Sequence, residues 1–159
     1  MPSKETLRLF DTFSRVRNQN IELIDSIPLD KLEVIPKGFR NNVLWNAGHL
    51  VTVQASLLYV RVGRPSPLDT KYRRYFAKGS SPEDFDNELP AFDKVRLGLE
   101  KLIGVIQRDI PELEKLAYLE PITVSVGSIT LESFRDALSF MPLHETYHLG
   151  MMTAMKKLL

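Results

Sequence analysis

The chain has no cysteine, and that absence removes several classes of function together. Disulfide frameworks, thiolate zinc sites and a cysteine nucleophile are excluded, and a reducing compartment fits. Neither sign of charge is in surplus: 21 Lys and Arg stand against 20 Asp and Glu, a net charge of +1. A nucleic-acid binder usually shows a basic excess, so no nucleic-acid partner is expected. No stretch approaches the ~18 consecutive apolar residues of a membrane-spanning helix. The opening Met1-Pro2-Ser3-Lys4-Glu5-Thr6 lacks the apolar run of a secretory leader. A cytoplasmic protein without a membrane partner is the expectation. Repeats and low-complexity tracts are also missing, and histidine occurs only three times in 159 residues.

What is present is the pattern of an all-α protein. The length suits one domain spanning residues 1–159, with 43% hydrophobic residues to build a core. A first helix is predicted from an N-cap at Ser3 to Asp25 or Ser26, with Leu7, Phe10, Phe13, Ile21 and Ile24 facing inward. After Ile27-Pro28 and a short turn over Leu29–Glu33, Asn41 or Asn42 caps a second helix, Val43 to Val62, stopped by Gly63-Arg64-Pro65. A long connection to Leu89 follows, a crossover or a binding loop. It carries Lys71-Tyr72-Arg73-Arg74-Tyr75-Phe76-Ala77-Lys78, read as a solvated loop with its aromatics tucked inward rather than as a nucleic-acid contact. Ser81-Pro82-Glu83-Asp84 is a helix-start signal.

The third helix is expected from Pro90 to just before Pro111, with Phe92, Val95, Leu99, Leu102 and Ile106 on one side. Glu112–Tyr118 reads as a short helical turn, and the β-branched alternation Pro121–Val126 as a small extended segment ending at Gly127. The fourth helix is expected to start at Thr130 as N-cap and to be kinked at Pro142. The architecture that follows is a four-helix bundle with a long crossover between helices two and three.

Two of the histidines stand in His144-Glu145-Thr146-Tyr147-His148. In a helix, residues four apart lie one above the other on one face, so two imidazoles so placed can grip one ion. Phe134, Ala137, Met141, His144, His148, Met151 and Met155 follow steps of three and four, which puts both histidines on the buried stripe. A single histidine on such a face is most often a core residue bonded to a neighbour. The pair, with His49 on a second helix as the remaining histidine, favours a three-histidine metal site instead. Trp45, one turn before His49, is either a wall of that site or a large core residue.

Three imidazoles leave a coordination position for water or substrate, the pattern of a catalytic site. Zn²⁺ or Ni²⁺ suits such a donor set. The segment also matches H-E-x-x-H, in which the glutamate, here Glu145, is the general base of a zinc peptidase. Against that reading, the residues after His148 include no His, Asp or Glu as third ligand.

The order and spacing of Asn42-Val43-Leu44-Trp45-Asn46-Ala47-Gly48-His49-Leu50 and His144-Glu145-Thr146-Tyr147-His148-Leu149-Gly150 resemble the DinB/YfiT-like superfamily of small metal-binding four-helix proteins. The family frequently has Gly-Gln after the second histidine of the pair; here it is Gly150-Met151. The resemblance implies an up-down-down-up bundle, often a homodimer, with one divalent metal held by His49, His144 and His148 and completed by water. It also implies a small-molecule substrate. Characterised relatives include S-transferases and isomerases that use a low-molecular-weight thiol of the bacillithiol or mycothiol type. A thiol S-transferase is therefore the leading expectation, with Tyr72, Arg73, Arg74 or Tyr147 as contacts to the thiol's polar tail. A non-catalytic metal-binding protein of a stress response is the alternative.

Overall fold

In a computed structural model describing residues 1–159, the chain is mostly helical, with one small two-stranded sheet. The first helix, α1 (Lys4–Asp25), starts where a serine can satisfy an orphan amide: the Ser3 hydroxyl accepts from Thr6 N–H at 3.1 Å. Phe10, Phe13, Ile21 and Ile24 point inward as their spacing requires. Leu7 does not: it is exposed, and the smaller Thr6 takes the inward position beside it.

Helix α2 (Val43–Leu58) is capped by Asn42, whose side chain accepts from Trp45 N–H at 2.8 Å. It stops four residues short of the expected Val62. The chain tightens into a 3₁₀ turn over Val60–Val62 and leaves through Gly63 at φ 75°, a conformation open to glycine at little cost. The connection that follows is more ordered than the loop expected from sequence. Lys71–Phe76 forms a short helix, α3, because Tyr72, Tyr75 and Phe76 all bury against the core. Ser81–Asp84 forms a capped 3₁₀ turn with reciprocal serine and aspartate bonds to backbone amides.

Helix α4 (Phe92–Leu113) runs through Pro111 rather than ending before it. The inward stripe of Leu99, Leu102, Ile106, Ile110 and Leu113 continues past the proline, and that burial offsets one missing hydrogen bond in the last turn. Residues 114–118 are accordingly not a separate helical turn. Strand β1 (Ala117–Thr123) pairs antiparallel with β2 (Thr130–Ser133), with a register irregularity between Ala117 and Ile122, where Pro121 cannot donate to a ladder. Helix α5 (Phe134–Lys156) is therefore capped by Ser133, not Thr130. Ser133 accepts from Asp136 N–H at 3.2 Å, while the Asp136 carboxylate takes Glu132 N–H at 3.1 Å.

Helix α1 packs on α5 and α4, and α2 packs on the same two. The core has two apolar clusters. One gathers Ile21, Ile24, Leu50, Val51, Leu99 and Met152; the other gathers Phe10, Phe13, Leu57, Ile106, Phe134 and Met141. Along three helices the change from one cluster to the other falls on buried polar residues. These are Arg17 and Asn20 on α1, Gln54 on α2, and His144, Glu145 and His148 on α5. His144 and His148 sit in this polar layer, while His49 lies earlier on α2, among residues of the first cluster.

Candidate metal centre

Helix α5 presents His144 and His148 one turn apart with ring centroids 4.7 Å from each other. Helix α2 brings His49 to meet them, at 5.4 Å from His144 and 5.1 Å from His148. One ligand nitrogen from each ring can be chosen so that all three lie within 4.8 Å of one another. The rings are only 6–7% exposed. The fold thus brings the two distant segments of the sequence to one point.

Two of the rings are held by their far nitrogens. His49 Nδ1–H donates to the Phe76 carbonyl at 2.7 Å. His148 Nδ1–H donates to Asn46 Oδ1 at 2.7 Å, and the amide's orientation is set by Asn46 Nδ2–H donating to the Asn42 carbonyl at 2.7 Å. Both acceptors place the proton on Nδ1 and leave the lone pair on Nε2, the arrangement that fixes a ligating imidazole. Gly48 is part of the same device. A Cβ there would lie only 2.4 Å from Phe76 ring carbons, so glycine is what lets α3 lie close enough for the Phe76 carbonyl to reach His49. Trp45 stacks on His49 with centroids 4.5 Å apart and planes 15° from parallel, and its Nε1–H donates to Ser80 Oγ at 3.0 Å.

The electrostatics keep the rings neutral. Burial pushes His148 down to about 3, with a smaller contribution from His49. His144 is held well below the usual range, first by burial and then by His148, His49 and the Arg17 charge. His49 is lowered by burial, opposed by its bond to the Phe76 carbonyl. Neutral imidazole is the form that binds a metal. His144 Nδ1 is buried and has no protein partner. A neutral three-nitrogen donor set with an unpartnered ring nitrogen fits a borderline divalent ion, and the three side chains could hold one.

Glu145 does something else. Its carboxylate accepts from Arg17 through Nη2–H at 2.6 Å and Nε–H at 3.1 Å, and from Asn20 Nδ2–H at 2.8 Å. Arg17 Nη1–H donates to the Leu99 carbonyl at 3.2 Å. All of this is sealed, with Arg17, Asn20 and Glu145 at 0% exposure. The carboxylate is committed to α1 and does not face the histidines' cleft, so it is not placed as a general base.

The three histidines line one wall of an open cleft of about 1770 Å³. Trp45, Tyr72, Arg73, Lys78 and Tyr147 also line it. Arg74, suggested by sequence as a tail contact, turns away and pairs with Asp86 at 2.6 Å. Sequence reasoning missed Arg17, Asn20 and Asn46. The signal for the first two was their place at steps of four and three after Phe13 on the inward stripe. For Asn46 it was the i,i+4 relation to Asn42 one turn ahead of His49.

Fold and cluster together define a helical protein with a buried three-histidine site able to take a metal ion. The family model of the DinB superfamily matches residues 12–152, which include all three histidines, and the chain belongs to the DinB superfamily. No curated protein matches the chain.

Proposed function

We propose that the protein is a metal-dependent S-transferase in which His49, His144 and His148 hold one divalent ion, Zn²⁺ or Ni²⁺, for attack by the sulfur of a low-molecular-weight thiol of the bacillithiol type on a small electrophile. The observation that carries this reading is the convergence of three neutral imidazoles at the wall of an open cleft, two of them with their tautomer set by a second contact. In this proposal α1, α2, α4 and α5 make an up-down-down-up four-helix bundle and residues 1–159 form one cytoplasmic domain. Two copies pair as a homodimer.

A bound ion of this kind lowers the pKa of a coordinated thiol or water. The chain's own groups would do the rest. Asn46 and the Phe76 carbonyl orient two rings, Trp45 closes one side of the site, and Tyr147, half exposed beside His148 with centroids 5.3 Å apart, borders the incoming substrate. Arg73 and Lys78, neither paired with a carboxylate, can hold anionic groups of a small-molecule substrate at the cleft wall. A second reading, an ion that only ties α2 to α5, draws on the near-complete burial of the rings. The cleft at their side favours turnover.

Elemental analysis of the purified protein and of His49→Ala tests the metal: about one equivalent is expected in the parent and little in the variant. Incubating the metal-loaded protein with bacillithiol and monochlorobimane tests the reaction. Rates equal to the protein-free rate across several thiols and metals would remove the transferase reading and leave the metal.

A further inference from the structure

The cleft has an apolar arm that the histidines do not explain. On α2 and the turn after it, Val53, Leu57 and Val60 follow His49 at steps of four, four and three, which keeps them on one face, and all three line the cleft. At about 1.5 Å per residue this stripe extends roughly 16 Å from the imidazoles. The facing wall comes from Phe140 on α5 and from Leu119, Ile122 and Val124 on and just after β1. Tyr118 O–H donates to the Leu57 carbonyl at 2.8 Å and pins β1 against α2, so the two walls are held in place. Leu119 lies over Gly63 at the far end.

Two of these side chains are left in water. Leu119 is 75% exposed and Val60 43%. Large apolar groups that line a cleft and end at a candidate metal centre are the mark of a ligand subsite rather than of scattered surface hydrophobes. We infer that the cleft takes an elongated ligand whose metal-binding head lies at the three histidines and whose hydrocarbon tail lies along Val53, Leu57 and Val60 beneath Leu119. This rests on the metal reading for the head and on the apolar arm alone for the tail, and the two are separable by experiment.

The probes are n-alkyl hydroxamates from acetohydroxamate to octanohydroxamate, titrated calorimetrically into zinc-loaded and chelator-stripped protein. In the loaded parent the dissociation constant falls about fourfold for each added methylene. Leu119→Asp and Val60→Asp, both at exposed positions where folding is not at risk, cut that dependence to less than half while leaving acetohydroxamate binding unchanged. Leu29→Asp, at a position 73% exposed and outside the cleft, leaves the dependence intact. Stripped protein binds every probe more weakly and keeps the same dependence on length. A flat series in the parent, or a dependence that survives both cleft substitutions, overturns the tail subsite. Equal affinities for loaded and stripped protein would instead remove the metal head, and the length series still decides the tail.

Discussion

His144 and Glu145 are neighbours on one turn of α5, yet they enter two unlike polar clusters. About 100° apart around the helix, the imidazole goes to the cleft with His49 and His148, while the carboxylate goes to the sealed side with Arg17 and Asn20. In the sealed cluster both carboxylate oxygens and three guanidinium nitrogens are bonded to protein. In the open cluster one imidazole nitrogen is buried with no partner. The Glu145 carboxylate and the Arg17 guanidinium are answered by the fold and serve it, although Asn20 Oδ1 beside them has no partner; what sets His144 apart is that its spare bonding capacity stands beside two other imidazoles at the cleft.

The largest expected effect falls on the sealed side. Glu145→Gln leaves the Arg17 charge uncompensated at 0% exposure and should cost about 3–5 kcal/mol of unfolding free energy, read from urea denaturation. A loss below about 1 kcal/mol would show that the pair is not what joins α1 to α5. Acid probes the open side. Unfolded histidines take up protons below about pH 6.5, whereas the folded His144 and His148 stay neutral, so the metal-free protein keeps its full stability above that pH. It then loses about 1.4 kcal/mol per pH unit for each of these two rings as pH falls toward the depressed folded values. Denaturant midpoints of metal-free protein between pH 7.5 and 5 should fall accordingly, and a midpoint independent of pH in that range would contradict the neutral assignment.

Asn46→Ala sharpens the contrast from the other direction. It frees the His148 ring without touching Arg17 or Glu145, and should weaken zinc binding 10–100-fold, measured by chelator competition, with a smaller change in the denaturant midpoint. The smallest effect is expected at Ser133→Ala, outside both clusters: about 1 kcal/mol of stability from the lost α5 cap, with zinc affinity unchanged.

Much of the scaffold was legible because it rests on local physics. Ser3 and Asn42 could be recognised as caps, and the 3.6-residue periodicity of α1, α4 and α5 located their buried faces. The misreadings fell where tertiary burial outweighed a local signal. Pro111 reads as a stop, but Ile110 and Leu113 complete an inward stripe across it. Thr130 reads as a cap, but pairing with Thr123 draws it into a strand and leaves the role to Ser133. Arg73 and Arg74 read alike as contacts to a thiol's tail, yet helix α3 sends Arg74 to Asp86 and Arg73 to the cleft.

By itself the sequence determined that histidines 144 and 148 would share a helix face, because a spacing of four needs only the helix to be true. It also determined the donor type, since a chain without cysteine has no thiolate to offer. Only the tertiary structure decided that His49 joins the pair, that Asn46 and the Phe76 carbonyl orient two of the rings, and that Arg17 takes Glu145 away from the cleft. Each of those depends on how helices distant in sequence are turned toward one another, and that rotation is set by the packing of whole faces rather than by any local stretch of residues.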